Sequence, residues 1–222
     1  MLAVDLHAHA GFLHVVRGRP TPFDPVSLRV VAALARRRGL DAVAVTNHDF
    51  HEPHPDWLGG VRLLPGIEIS TTRGHLLVVG PDPPRRTARD ALTPEEAVEL
   101  AHDRGCAAVV AHPFRNSTVA EADAPFDAVE LNGKRPNRQG VERLARDLDV
   151  PVVGGSDAHF PVEVGRAYTR LDAADPTPAA VVRAIREGRV EACVRESRLD
   201  ALFHRAYGAV HRLRGHDGPR DH

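Results

Sequence analysis

The chain has 222 residues, 42% of them hydrophobic, which suits one buried core in one α/β domain. Lys and Arg number 29 against 30 Asp and Glu, a net charge of -1, which excludes a general polyanion binder and a basic membrane-surface protein and leaves room only for local basic patches. Two cysteines, Cys106 and Cys193, exclude a disulfide framework and read as buried thiols; with no signal-peptide pattern and no apolar run near the roughly 18 residues that cross a bilayer, a cytoplasmic protein is expected.

Short apolar runs alternate with helical patterns along the chain. Strands are expected over residues 3–8 (AVDLHA), 41–46 (DAVAVT), 63–70 (LLPGIEIS), 75–80 (HLLVVG), 107–112 (AAVVAH), 127–132 (DAVELN) and 150–157 (VPVVGGSD). Helices are expected over 25–39, stopped by Gly39; over 93–105, where Thr93 and Glu96 have capping-box spacing and Gly105 ends the run; and over 140–149 and 177–188. A long amphipathic helix over 197–215 and a frayed tail over 216–222 close a single domain, and residues 81–90 (PDPPRRTARD) read as a surface loop. This βα alternation, without a glycine-rich phosphate loop after the first strand, favours a distorted TIM-like barrel over an open nucleotide-binding sheet.

Fourteen histidines are the unusual feature, and they are not scattered. In DLHAH, Asp5, His7 and His9 are spaced two apart, so a strand turns them to one face and Val4, Leu6 and Ala8 to the other. His14 follows in the loop. His48, Glu68, His112, Glu130, Asp157 and His159 each fall at the C-terminal end of an expected strand, the rim where α/β barrels assemble active sites. His75 starts a strand instead. Only TTRG or so separates it from Glu68's strand, which is hairpin length, so an antiparallel pair would bring His75 to the same rim.

His7, His9, His14, His48, Glu68, His75, His112, Asp157 and His159 are therefore candidate ligands, more than the three or four that one tetrahedral ion takes, so two or three metals are expected, with Glu68 or Asp157 bridging. The plainer reading is a set of separate structural histidines capping strand ends. Imidazole-rich sites suit Zn, Mn or Fe better than Mg.

The ordered motifs DLHAH (5–9), TNHD (46–49), AHP (111–113) and GSDAH (155–159), with GIEIS and GHLLVVG between them, resemble those of the PHP family, the polymerase and histidinol phosphatase superfamily, over roughly three quarters of the chain. The resemblance implies a distorted (βα)7 barrel whose two- or three-metal centre hydrolyses phosphoesters. It also implies that His7, His9, Glu68 and Asp157 hold one ion, Glu68, His75 and His112 a second, and His14, His48 and His159 a third. Many members carry Asp at the positions of His14 and Asn47; the first change keeps a donor and the second removes a charge beside His48.

Such a centre would make a metal-bridging hydroxide the nucleophile, with Glu68, Asp157 and His159 nearest the chemistry and Ser156 only a turn residue. Asp5 and Asp49 read as groups that orient imidazoles by accepting their second N–H, with ordinary capping the alternative for Asp49; Glu130 supports a ligand or touches substrate. Arg115, Lys134 and Arg135 follow strand ends and are placed to bind phosphate oxygens. Trp57, in the loop with His51 and His54, covers the site, stacks on a base or packs on the barrel rim.

The leading expectation is a phosphoesterase acting on a small molecule, a nucleotide or phosphorylated metabolite. A nuclease on short single strands is the alternative, weakened by two Tyr, one Trp and the neutral charge. A non-catalytic metal-stabilised module and a hydrolase of carbon–nitrogen bonds stand further back. A membrane partner is not expected, nor nucleic acid beyond short oligonucleotides, and the oligomeric state is open.

Overall fold

A computed structural model describes residues 1–11, 24–134 and 136–195. His14, Arg135 and the helix and tail expected after residue 196 lie outside the described residues. The strands are β1 (Leu2–Ala8), β2 (Ala42–Val45), β3 (Trp57–Leu58), β4 (Val61–Thr71), β5 (Gly74–Val79), β6 (Ala107–Val110), β7 (Ala128–Asn132), β8 (Val152–Gly155), β9 (Ala167–Leu171) and β10 (Val190–Val194). They form one sheet in the order β10-β9-β1-β2-β4-β5-β6-β7-β8, with β3 appended to β4. β1, β2 and β4 are parallel, as are β6, β7 and β8. β5 runs antiparallel to both its neighbours, and β9 antiparallel to β1 and β10. The carboxyl ends of β1, β2, β4, β6, β7 and β8 consequently share one rim.

The sheet curls into a nearly closed barrel. Its hydrogen-bonded ladder is interrupted between β8 and β9, where Gly154 N donates to Thr169 Oγ1 (2.8 Å) and that hydroxyl donates back to Gly154 O (3.0 Å). A Cβ on Gly154 would lie 2.7 Å from the Tyr168 carbonyl carbon, so the seam requires glycine. Val4, Leu6, Leu64, Leu77, Val109 and Val153 fill one core cluster together with Val181, Val182, Ala184 and Ile185 of α4 (Pro178–Arg186). The Arg186 guanidinium donates to Asp127 Oδ1 (2.9 Å) and Cys106 O (2.8 Å), at the starts of β7 and β6, so α4 closes the end of the barrel opposite the rim.

α1 (Pro25–Arg37), α2 (Pro94–Asp103) and α3 (Arg138–Asp147) form the outer layer. α1 packs Val31 and Ala35 on Ala8, Val43 and Val61, while α2 and α3 cover Ile67, Ile69, Val110, Val129 and Leu131. The expected capping box holds: Glu96 N donates to Thr93 Oγ1 (3.3 Å) and Thr93 N to Glu96 Oε2 (2.8 Å). The β4–β5 hairpin is also as expected, with Ser70 opposite His75.

Other expectations need correction. β3, β9 and β10 were not read as strands, so the sheet exceeds the expected seven. A register shift between Asp5 and Ala8 breaks the alternation of β1, and Ala8 faces α1 instead of joining Val4 and Leu6. Cys106 is buried, but Cys193 only partly. Residues 81–90 do form a loop, bonded along the segment after β2 through His51 N to Arg85 O and Thr87 N to Asp49 O.

Candidate metal centre

Among the described residues, the rim gathers six imidazoles around two buried carboxylates. Glu68, in the C-terminal half of β4, is the hub. Its Oε1 lies 2.7 Å from His75 Nδ1 and 3.0 Å from His112 Nε2, and its Oε2 lies 3.2 Å from His7 Nε2, 3.2 Å from His9 Nε2 and 3.1 Å from His48 Nδ1. Asp157 is the second. Its Oδ1 stands 3.1 Å from His159 Nδ1, 3.5 Å from His9 Nε2 and 3.7 Å from His7 Nε2. The hairpin explains His75: reversing β5 returns the chain to the rim a few residues after Glu68 left it.

These residues fit divalent cations. His7 Nε2 and His9 Nε2 are 3.2 Å apart and each 3.2 Å from Glu68 Oε2, a triangle close to the donor separation of about 3.3 Å around a tetrahedral ion with bonds near 2.0–2.1 Å. Glu68 Oε2 and Asp157 Oδ1 are buried and complete no hydrogen bond. Among the described residues, three sets of donor atoms lie mutually within 4.8 Å: His7, His9 and Glu68; His48, Glu68 and His75; and His9, His48 and His159.

Charge in the centre follows from burial and neighbours. Burial opposes protonation of His7, yet Glu130, Glu68 and Asp157 outweigh it and raise its pKa well above the usual imidazole range. Burial likewise opposes ionisation of Glu68 and Asp157, but the His7 charge holds both carboxyls well below the usual carboxylate range, aided at Glu68 by the hydrogen bonds of His112 and His75 and at Asp157 by the nearby His159, His9 and Lys134. At His48 burial prevails, lowering the pKa to about 3, and burial with the nearby His9 lowers His159. Each ligand that accepts a cation must be deprotonated, so loading should release the His7 proton.

Of the supporting carboxylates, Asp5 departs from its expected role. Glu130 does orient an imidazole: His7 Nδ1 donates to its Oε1 (2.8 Å), turning Nε2 inward, and its Oε2 accepts His112 N (2.8 Å). Gly155 makes this possible, because a Cβ there would lie 2.6 Å from His7 Cβ and against Glu130 Oε1. Asp5 touches no imidazole ring. It accepts backbone N–H groups from His7 (3.1 Å), Ser156 (2.9 Å) and Gly165 (2.7 Å), and its burial raises its pKa to about 6. Asp49 takes the capping alternative, accepting from Ser70 N, Ser70 Oγ and Thr87 Oγ1.

Asn47 accepts Ala10 N (2.9 Å) through its side-chain oxygen. Ser156 is more than a turn residue, because its buried hydroxyl donates to His7 O (3.1 Å) and ties β8 to β1. His112 and Asp157 have positive φ (29° and 51°), strain of the kind that collects at functional sites.

Arg115 Nη1 donates to Asp157 Oδ2 (2.7 Å), and Lys134 Nζ lies 3.2 Å from Asp157 Oδ1 and 2.9 Å from His159 Nδ1. Both cations thus stand at the centre. Trp57 does not. It pairs with Arg62 beside the start of β2, at the opposite end of the barrel, with the Arg62 guanidinium 5.4 Å above its ring and half its surface exposed. Sequence reasoning missed Glu163, which lies between the last rim motif and β9; its buried carboxylate accepts His159 N (2.9 Å) and Phe160 N (3.1 Å).

Residues 134–190, which carry Lys134, Asp157, His159 and Glu163, match the PHP-associated family (PHP_C). The match supports a relation to the PHP family over that stretch. A probable phosphatase of Shewanella amazonensis is 27% identical over 189 residues, covering 64% of this chain and 75% of that protein. The fold is similar to PsfC of Pseudomonas syringae (TM-score 0.70, 22% identity, 94% of this chain and 98% of that one). It is also similar to a Bacteroides vulgatus two-domain protein containing a predicted PHP-like metal-dependent phosphoesterase (0.60, 21%, 91% and 68%). The lesion-specific endonuclease PfuEndoQ of Pyrococcus furiosus gives 0.62 at 19% identity, over 93% of this chain and 66% of that one. The part matching PHP_C spans the last rim motif and the seam of the barrel.

Proposed function

We propose that this chain is a PHP-family metal-dependent phosphoesterase that hydrolyses a phosphate ester of a small molecule, a nucleotide or phosphorylated metabolite. The observation that carries the reading is the convergence of His7, His9, His48, His75, His112 and His159 on Glu68 and Asp157, each of which keeps one buried oxygen, Oε2 and Oδ1 respectively, without a hydrogen bond. His7, His9, Glu68 and Asp157 hold one cation; Glu68, His75 and His112 a second; and His48 and His159, with His14, a third where three are bound. Zn, Mn or Fe suits this donor set better than Mg. When bound, the cations supply an activated water and neutralise charge on the phosphoryl oxygens.

The chain's own groups do the rest. Glu68 and Asp157 stay ionised far into the acid range and keep their donor character. Glu130 holds the His7 tautomer through Nδ1. Arg115 and Lys134, whose charges rest on Asp157, turn to phosphate oxygens when substrate enters, Arg115 as a two-pronged donor; Arg135 is the third candidate beside them.

The alternative is a nuclease on short single strands. It is favoured by the likeness to an endonuclease fold and by Phe114, 57% exposed between His112 and Arg115, where a base would find a stacking surface. The test is turnover of p-nitrophenyl phosphate, bis(p-nitrophenyl) phosphate and a short oligonucleotide by the stripped chain and after adding Zn or Mn. Metal-dependent monoester turnover is expected. Oligonucleotide cleavage without it would favour the nuclease, and loss of melting temperature on stripping, with no turnover anywhere, would leave a scaffold.

A further inference from the structure

Among the described rim imidazoles, His48 and His159 are the most exposed, and His159 stands on the loop after β8. Its side chain is 37% exposed, and its ring leans on His9 at 4.0 Å between centroids. Its Nδ1 has Asp157 on one side and Lys134 on the other. No packed wall fixes the ring as full burial fixes His7. What is fixed is its backbone. Glu163 closes the short helical turn Pro161–Glu163 and folds its carboxylate back beneath the loop, where Oε2 accepts both His159 N and Phe160 N. Its Oε1 takes Arg166 Nη1 at 3.2 Å, and both residues are buried (7% and 4% exposed). Arg38 holds the same turn from outside, donating to Val162 O (2.9 Å) and to Val164 O.

We propose that Glu163, held by Arg166, is a positioning residue for His159 and thereby sets how tightly the donor group His9, His48 and His159 grips a transition-metal cation. The inference rests on the metal-centre reading above. A carboxylate is the group that fits this place: one oxygen accepts two N–H donors while the other faces a guanidinium, which only donates. Glutamine could serve the two backbone donors, but its amide NH2 would then face Arg166, donor against donor. Changing Arg166 to Gln as well restores an acceptor opposite that NH2. A charge needed only for general stability would not be repaired by the neutral pair; a geometry needed for His159 would be.

The experiment is a zinc titration of the stripped full-length chain by calorimetry, run beside thermal melting for wild type, E163Q and E163Q/R166Q. E163Q is expected to weaken one class of bound zinc by about 10–100-fold, the range for outer supports of a ligand, while another class, held by His7, His9 and Glu68, is unchanged. E163Q/R166Q is expected to recover most of the loss. Wild-type zinc affinity in E163Q, equal weakening of every class, or no recovery in the double variant would each overturn the inference. If E163Q fails to fold, E163Q/R166Q and E163D carry the test, E163D keeping the ion pair but drawing the carboxylate back from the loop; failure of all three to fold would assign a purely structural role and overturn it too. The readout is bound zinc, so a wild-type chain with no phosphoesterase turnover would defeat the proposed function and leave this inference standing.

Discussion

The imidazoles deep in the rim and those at its mouth are held in place by different means. His7 is fully buried, its Nδ1 bound to Glu130 and its Nε2 directed at Glu68, so packing and a ring-to-carboxylate bond leave it one orientation. His48 and His159 are more than a third exposed at their side chains, and the bonds near them go to main chain: Asp49 to Ser70 N, and Glu163 to His159 N and Phe160 N. A buried ring can be fixed through its own nitrogen, whereas an exposed ring is fixed through the loop that carries it. The deep group should therefore tolerate substitution least.

The largest effect is expected from His7→Ala. Loss of a ligand should cost turnover more than the 10–100-fold typical of an outer support, with a folded product by circular dichroism; a variant keeping over about a tenth of the wild-type rate would erase the contrast. Glu130→Gln comes next, at about 10–100-fold in metal affinity, read by competition with a chromophoric chelator. His48→Ala should cost one class of bound ion while His7, His9 and Glu68 still load, as counted by elemental analysis after gel filtration.

A smaller effect sharpens the contrast from outside the centre. Burial and the neighbouring His54 lower the pKa of His51 to about 4, so it is neutral when folded and titrates near 6.5 when unfolded. The unfolded chain then binds more protons, and this part of the stability, present above pH 6.5, is lost as pH falls toward 4. His51→Asn should flatten the fall in melting temperature of the stripped protein across that window, and an unchanged slope would mean the ring is not held neutral. The smallest effect belongs to Trp57→Ala, where an exposed cation–π contact contributes about 0.5–1 kcal/mol. Turnover should not change, since the ring lies at the far end of the barrel.

Much of this arrangement is legible in the chain because a strand repeats every two residues and ends where its apolar run ends. That placed His48, Glu68, Glu130, Asp157 and His159 on one rim, and the brevity of TTRG brought His75 to them. Spacing reports the face of a strand and not the partner a side chain meets there. Asp5 shares β1 with His7, yet the donors it accepts include Ser156 N and Gly165 N, from far along the chain, which outcompete any ring N–H. β9 and β10 escaped because AYTRL and VEACV mix charged with apolar residues in short runs, as suits a ribbon with one side toward solvent. Glu163 escaped because its hydrogen bonds form inside one turn after GSDAH, where no periodicity marks them.

The interrupted ladder at Gly154 and Thr169 makes the barrel a hoop with a slit. His7 and His9 stand on one lip, Asp157 and His159 on the other, joined along the lips by the Thr169 and Ser156 hydroxyls, the Asp5 carboxylate and the Ala8–Ala158 bridge. An ion gripped from both lips would rivet the hoop shut, lending the whole molecule about 2.7 kcal/mol at a free concentration a hundred times its dissociation constant. Heat resistance and chemistry would then be secured by the same fastener.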